Sequence, residues 1–298
     1  MTTYETACRE AAARLRAAGV PDAGFDALLL LEKASGLDRT RYELVRRDPV
    51  PEEVLARLKE LTARRAQRIP LQHILGAAWF MGLPFKVTPD VLIPRPDTEV
   101  LVETVLETLP ERGKGLRLLD LCAGSGCIGI SLAKLGGFRD VVLSDISPEA
   151  LAVARENAVT NGVADRIRLA EGDLWEARLT DSGRALTEER FDAVCCNPPY
   201  IPTGVIPALM PEVRDHDPRK ALDGGSDGLD YYRRLSYGLR KLLPQGGPVF
   251  LEIGYDQGET VPEIFEGRCR NARVIRDLAG DPRVFAAQYL PAEEEGHV

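Results

Sequence analysis

The tetrapeptide Asn197-Pro198-Pro199-Tyr200 has the most distinctive chemistry in the chain. It follows an apolar run, residues 191–196, that is typical of a buried strand. The asparagine offers an amide oxygen as a hydrogen-bond acceptor. Because the prolines lack N–H groups, the turn presents carbonyl acceptors without competing donors, and the tyrosine adds a flat ring. We therefore expect this segment to hold a planar –NH2 group and leave its nitrogen free to react, rather than merely cap a strand.

A second candidate site is a strand that runs into a glycine-rich turn and then into a helix, over residues 118–129. Glycines in such a turn let the backbone approach a ligand closely. We expect the turn to contact a cofactor through Cys122, Ala123, Gly124, Ser125 and Gly126.

Acidic residues and one aromatic residue accompany these strands. Asp145 ends the next strand, where a nucleotide-binding fold has a carboxylate for the ribose hydroxyls. Asp120, directly before the turn, would repel a pyrophosphate but suits the cationic sulfonium or amino end of S-adenosylmethionine. Asp173 and Trp175 follow the third strand and could bracket an adenine, although core packing explains the tryptophan about equally well. These residues favour an S-adenosylmethionine site.

Other functions remain open at this point. The turn also satisfies G-x-G-x-x-G, so a nicotinamide-dependent oxidoreductase is an alternative, although Asn-Pro-Pro-Tyr has no evident role beside a nicotinamide. No Gly-Lys-Ser/Thr follows the turn, which excludes a Walker-type phosphate loop. The six cysteines form no C-x-x-C pair, so we expect no metal site and interpret them as small apolar residues.

Strands and helices alternate after residue 116, which predicts an α/β fold with a mostly parallel, doubly wound sheet. Strands are predicted at residues 116–121, 141–144, 167–170, 191–196 and 249–253, with two weaker ones at 273–276 and 284–289. The intervening helices are predicted at residues 128–135, 148–161, 229–243 and 260–268. Residues 201–227 lack periodicity, and a loop of this length is more often functional than idle.

The region before this sheet is different. Residues 1–75 predict four short helices that form a small bundle, for which substrate docking is our hypothesis. Residues 76–96 predict a β-hairpin linker. Asp97 is then the expected N-cap of the helix that opens the last domain, residues 97–298.

The chain has 298 residues, enough for about two domains, and a formal net charge of −8. That charge argues against binding long stretches of nucleic acid through phosphates, so we expect no direct nucleic-acid binding. The first residues lack the apolar segment of a signal peptide, and no run of ~18 apolar residues is present. We therefore expect a cytoplasmic protein without a membrane association.

Several segments together resemble the bacterial protein-(glutamine-N5) methyltransferases of class I peptide-chain release factors. The resemblance covers nearly the whole chain. It is carried by residues 68–76, 91–99, the glycine-rich turn, Asn197–Tyr200, 212–219, 221–225, 228–229 and 251–254. It implies a Rossmann-like, seven-stranded methyltransferase domain behind a helical N-terminal domain, with S-adenosyl-L-methionine as cofactor and release factors as protein partners.

The resemblance also implies residue roles. The methyl donor lies against residues 122–126, Asp145, Trp175 and Asn197, and the substrate glutamine lies against residues 197–200. The Asn197 side-chain oxygen and the Pro198 carbonyl then each accept one amide hydrogen, while Tyr200 packs on the amide plane. Asn-Pro-Pro-Tyr also occurs in adenine-N6 methyltransferases, so these enzymes, a ribosomal-protein glutamine methyltransferase and a degenerate binding module remain alternatives.

Two positions depart from the family pattern. Cys122 stands where many relatives have glycine, which is tolerable if its φ angle is negative. His73 stands where tyrosine is common, and we do not expect it to act as a catalytic base because it lies outside the predicted sheet.

Overall fold

The chain divides into two compact units. The structure is a computed structural model that describes residues 1–109, 115–243 and 246–291. One unit comprises residues 1–77 and 210–216, and the other comprises residues 78–209 and 217–298. This division differs from the predicted boundaries in two places, the hairpin and residues 210–216.

The first unit is helical. Its elements are α1 (Tyr4–Ala17), α2 (Ala23–Ser35), α3 (Arg39–Val45), α4 (Glu52–Ala66) and α5 (Leu71–Leu75), together with α9 (Pro211–Arg214) from later in the chain. Leu15, Leu30 and Leu31 are fully buried in its apolar core. Sequence periodicity predicted four helices in residues 1–75; α5 was missed because five residues are too few to establish a period.

Residues 210–216 join this unit through charge. The Arg68 guanidinium donates to both carboxylate oxygens of Glu212, at 2.6 Å each. Arg65 donates to Glu212 at 2.9 Å and to Asp26 at 2.6 Å. Such a bidentate guanidinium–carboxylate pair is directional and strong, and it holds residues 210–216 in the helical unit. Residues 97–298 therefore do not form one contiguous domain.

The second unit is an α/β domain that contains the hairpin. Its strands are β1 (Ala77–Phe80), β2 (Leu83–Lys86), β3 (Arg117–Leu121), β4 (Asp140–Asp145), β5 (Ile167–Glu171), β6 (Arg178–Leu179), β7 (Ala193–Cys196), β8 (Gly247–Glu252), β9 (Cys269–Arg276) and β10 (Pro282–Tyr289). Its helices are α6 (Pro96–Thr108), α7 (Cys127–Leu135), α8 (Pro148–Thr160), α10 (Asp230–Leu242) and α11 (Thr260–Ile264).

The hairpin β1–β2 packs within this domain and does not behave as a free linker. Asn157 of α8 accepts from the Lys86 backbone N–H at 2.7 Å and donates to the Lys86 carbonyl at 3.1 Å. Helix α6 begins two residues earlier than predicted, with Arg95 as N-cap in place of Asp97 and Pro96 at the first helical position. Asp97 therefore lies in the first turn and does not cap the helix.

The main sheet has the strand order β6-β5-β4-β3-β7-β8-β10-β9. Strands β3, β4, β5, β7 and β8 are parallel, whereas β10 runs antiparallel to both β8 and β9. Seven strands match the predicted ones; the eighth, β6, is a two-residue edge strand too short for sequence periodicity to detect. Helices cover both faces, so β3 alternates between two buried clusters, with Leu118 in one and Leu119 in the other.

This strand order fixes where a ligand can bind. The chain proceeds from β3 to β4 on one side, while β7 pairs with β3 on the other. A crevice opens at such a switch point, outside the carboxyl ends of the strands. The turn after β3 and the tetrapeptide after β7 both lie at this edge. Within the described parts of the chain, no helix is long and apolar enough to cross a membrane.

Candidate active site

The turn after β3 forms one wall of the crevice. Gly124 and Gly126 have φ angles of 54° and 78°, a region in which only glycine is unstrained. A Cβ atom at Gly126 would lie 2.8 Å from Ile130 and 2.9 Å from Leu143, so this glycine also lets α7 pack closely on β4. A Cβ atom at Gly124 would meet nothing within 4 Å, which leaves that position open toward the cavity.

Asp145 holds this turn in place. Its Oδ2 atom accepts from the Gly124 N–H at 2.8 Å, and its Oδ1 atom accepts from the Ser147 N–H at 2.9 Å. Each carboxylate oxygen keeps a further acceptor site, and the residue lines the cavity. This placement suits a ligand with paired hydroxyl groups, as expected for a ribose.

Cys122 departs from the sequence expectation, because its φ angle is 56° and therefore positive. A non-glycine residue in the left-handed region is strained by ~1–2 kcal/mol. A cysteine replaces glycine here without strain only if φ is negative, so Cys122 does not meet that condition. The side chain still lines the cavity, together with Ala123 and Ser125.

Asp120 lies beneath the turn and not on the cavity wall. It is fully buried, and its Oδ2 atom accepts from the Gly129 N–H of α7 at 2.8 Å. Burial raises the pKa of Asp120 to about 7. The expected contact with a sulfonium group is therefore not found, and the carboxylate instead links β3 to the first turn of α7.

Asp173 lines the cavity, but Trp175 does not. The Trp175 ring packs on Gly238 of α10, where a Cβ atom would lie 1.9 Å from its Cζ3 atom. The Arg234 guanidinium stacks on that ring at 5.7 Å and donates to Asp173 at 2.7 Å. The tryptophan thus supports the guanidinium that holds Asp173, whereas a direct contact between its ring and a ligand stays a prediction.

The tetrapeptide after β7 forms the opposite wall through Asn197 and Pro199. Tyr200 is directed away from the cavity, and its hydroxyl donates to Glu252 Oε1 at 3.2 Å. Burial raises the pKa of Tyr200 well above its usual value. Tyr200, Pro198 and Gly126 are not among the residues that line the cavity. The packing of the Tyr200 ring on a substrate amide stays a prediction.

The tetrapeptide backbone is braced by a glycine-rich loop that follows it. Cβ atoms at Gly224 and Gly228 would lie 2.9 Å from the Pro199 carbonyl oxygen and 2.3 Å from the Tyr200 carbonyl oxygen. The Gln257 amide donates to the Tyr200 carbonyl at 3.1 Å. Residues 221–229 thus support the backbone of Pro199 and Tyr200, a role that the sequence alone did not reveal.

The two walls enclose an open cleft of about 930 Å³, counting solvent at its mouth. Several lining residues were not predicted as site residues: Val91, Leu92, Ile93, Thr98, Lys220 and Tyr231. The segment 91–99 was singled out only by family resemblance, because apolar wall residues carry no chemical signature.

The cleft combines a glycine turn, a ribose-suited carboxylate, a second carboxylate and an amide at the opposite wall. These groups fit the adenosyl part of S-adenosylmethionine, and Asn197 fits an –NH2 group beside it. Among the described residues no cluster of His, Cys, Asp and Glu could hold a metal ion. All six cysteines are free, and burial raises the pKa of Cys127 to about 12.

Models of known protein families match both the N-terminal helical region and the α/β region of the chain. Residues 6–76 match the family model described as PrmC N-terminal domain. Residues 97–207 match the Methyltransferase small domain. Curated relatives named release factor glutamine methyltransferase are 46% identical over 83% of this chain and 82% of the Geobacter sulfurreducens protein, and 43% identical over 96% of this chain and 98% of the Moorella thermoacetica protein.

Solved structures add the fold. A methyltransferase from Pyrococcus furiosus has a TM-score of 0.52 at 18% identity, and the match covers 77% of this chain and 99% of the Pyrococcus furiosus chain. The hMettl16 catalytic domain in complex with MAT2A 3'UTR hairpin 1 has a TM-score of 0.53 at 16% identity, and the match covers 78% of this chain and 80% of the hMettl16 chain. At these identities the likeness concerns the arrangement of the sheet alone.

Proposed function

Because the chain belongs to the family of release factor glutamine methyltransferases, we propose that it methylates the side-chain amide nitrogen (N5) of the glutamine in the Gly-Gly-Gln motif of class I peptide-chain release factors. It is an S-adenosylmethionine-dependent methyltransferase. The observation that carries the proposal is Asn197, an amide at the carboxyl end of β7 that lines the same cleft as the glycine turn.

When bound, S-adenosylmethionine supplies an electrophilic methyl group. Asp145, Asp173 and residues 122–125 are the groups that hold it. Residues 91–93 provide an apolar wall of the cleft, of which Val91 and Ile93 are buried, and this wall would limit the access of water to the bound cofactor.

The glutamine amide is a weak nucleophile because its lone pair is delocalised into the carbonyl. Asn197 Oδ1 and the Pro198 carbonyl each accept one amide hydrogen, which orients the nitrogen and stabilises the positive charge that develops on it. Alignment of this kind can lower a barrier by ~7–11 kcal/mol, so attack needs no strong base. The N–CH3 bond would form as the S–CH3 bond breaks, with S-adenosylhomocysteine as the leaving group, and the methylated nitrogen would then release one proton to water. The gain requires that Asn197 presents its oxygen, and not its nitrogen, to the substrate.

The helical unit is the proposed docking element for the protein substrate. Its exposed apolar side chains include Phe25 and Leu44, which are 62% and 80% exposed. We place the reaction in the cytoplasm, where translation termination takes place, and we expect no nucleic-acid substrate given the net charge of −8.

Labelled S-adenosylmethionine tests the substrate. We expect label on a purified release factor and none on the same factor with its Gly-Gly-Gln glutamine changed to alanine. Asn197→Ala should leave S-adenosylmethionine binding largely intact but transfer no methyl group, whereas Asn271→Ala, at an exposed position in β9, should retain full activity. Label on a ribosomal protein or on nucleic acid, with none on the release factor, would overturn the assignment.

A further inference from the structure

Arg234 of α10 holds one of the cleft carboxylates from outside the cleft. Its Nη2 atom donates to Asp173 Oδ2 at 2.7 Å. Its guanidinium carbon also lies 5.7 Å from the centre of the Trp175 ring and 5.6 Å from the centre of the Tyr231 ring. Asp173 and Tyr231 line the cleft, whereas Arg234 does not. An effect of Arg234 on a bound ligand must therefore pass through these neighbours.

The two rings give the guanidinium a fixed place. An ion pair whose side chains are 38% and 40% exposed contributes little by itself, because solvent screens it and both side chains lose mobility. Stacking on aromatic faces restrains the flat guanidinium further. The Trp175 ring is itself held against α10, where Gly238 leaves room for it. The Asp173 carboxylate is thus presented to the cleft in one orientation.

The order of the strands indicates which part of the cofactor meets Asp173. Strands β3, β4 and β5 are parallel neighbours, so their carboxyl ends lie side by side at one edge of the sheet. The glycine turn follows β3, the ribose-suited Asp145 ends β4, and Asp173 follows β5. A nucleoside whose ribose lies at Asp145 therefore extends its base toward Asp173. Arg234 occupies Oδ2 of this carboxylate, and Oδ1 keeps the capacity to accept a hydrogen bond.

We propose that Arg234 is a positioning residue that sets the selectivity of the cleft for adenine, because it orients Asp173 so that Oδ1 accepts from the exocyclic amino group of the base. This inference goes beyond the proposed function and needs only S-adenosylmethionine as the cofactor. A purine without that amino group leaves Oδ1 without its donor, and the cleft therefore binds it more weakly.

The test measures, by calorimetry on the full-length protein, the binding of S-adenosylhomocysteine and of an analogue with hydrogen in place of the adenine amino group. We expect the wild-type protein to bind S-adenosylhomocysteine about tenfold or more tightly than the analogue, as for a hydrogen bond to a charged group. Arg234→Met should reduce this ratio to about threefold or less, mainly through weaker binding of S-adenosylhomocysteine. Arg233→Met is the matched control, since this neighbouring arginine pairs with Asp227 and does not line the cleft. It should keep the wild-type ratio.

Two further variants separate positioning from a general structural effect. Arg234→Lys keeps the charge but loses the flat stacking group, so its ratio should also fall to about threefold or less, and it carries the test if Arg234→Met does not fold. The double variant Asp173→Ala/Arg234→Met should bind both ligands as Asp173→Ala alone does, since Arg234 acts through that carboxylate.

Three results would overturn the inference: a wild-type ratio near one, an undiminished ratio in either Arg234 variant, or losses that add in the double variant. The binding measurements contain no release factor. A protein that shows the expected ratios but methylates no release factor would therefore refute the proposed substrate and leave the role of Arg234 intact.

Discussion

Replacement of Gly238 by alanine tests the packing of Trp175 against α10. A Cβ atom at position 238 would lie 1.9 Å from Cζ3, 2.1 Å from Cε3 and 2.6 Å from Cη2 of the Trp175 ring. Contacts below 3.0 Å are essentially never seen for real Cβ atoms, so the whole ring must shift. The ring would then leave its positions beside Lys241 and Arg234, whose charged groups lie 4.9 Å and 5.7 Å from its centre.

Two opposing effects set the magnitude. Glycine in a helix interior costs ~0.5–1 kcal/mol relative to alanine, so propensity alone favours the substitution. Overpacking of this kind costs ~1–3 kcal/mol, because a ring forced from its site loses contacts on both faces. We therefore expect Gly238→Ala to lower the free energy of unfolding by ~1–2 kcal/mol, the reverse of the sign that propensity predicts.

Urea unfolding followed by tryptophan emission measures the effect. The chain contains two tryptophans, and Trp79→Phe leaves Trp175 as the reporter. Gly24→Ala is the matched control, since Gly24 lies in α2 and a Cβ atom there meets nothing within 4 Å. The control should be neutral or more stable than wild type. A Gly238→Ala variant of wild-type stability, with unchanged Trp175 emission, would refute the packing argument.

The other predictions concern single residues. Trp175→Phe should bind S-adenosylmethionine within about threefold of wild type in calorimetry, because its ring does not line the cleft; a large loss of affinity would contradict this. Cys122→Gly should raise the free energy of unfolding by up to ~1 kcal/mol in urea titrations, by relief of its positive φ. Glu212→Gln should cost ~3 kcal/mol in thermal unfolding, because it leaves Arg65 and Arg68 without their shared carboxylate. Since burial raises the pKa of Asp120, the folded state binds the Asp120 proton more tightly than the unfolded chain does, and the free energy of unfolding should fall as pH rises from 4 through about 7. Asp120→Asn should reduce that fall, by ~4 kcal/mol at most. A variant with an unchanged pH profile of stability would exclude Asp120 as the source of the fall.

The sequence predicted the sheet well because its signals are strong and local. Buried strands alternate with amphipathic helices. Most predicted strand ends lie within two residues of the observed ends, as with the predicted strand 167–170 and the observed β5 (Ile167–Glu171). Elements of two to five residues, such as β6 and α5, were missed because they are held by tertiary contacts and not by periodicity. The capture of residues 210–216 by the helical unit was missed for a related reason, since an ion pair across the sequence has no local pattern.

Several of the predicted site residues line the cleft, but the sequence did not determine how the predicted side chains are oriented. Side chains alternate along a strand, so Asp120 lies on the face opposite Leu119 and Leu121 and is directed at α7. That register argument needs the end of the strand to be known to one residue, which the sequence did not provide. The sign of φ at Cys122 likewise depends on the turn geometry, which residue type does not determine for cysteine.

The membership of residues 210–216 in the helical unit has a consequence for biosynthesis. Arg68 and Glu212 are 144 residues apart in the chain. At ~5–20 residues per second, about 7–30 s separate the synthesis of the two residues. During that interval Asp26 is available to Arg65, whereas the carboxylate that Arg68 contacts in the folded protein has not yet been made. The unit that begins the chain is therefore completed only after most of the sheet has been made.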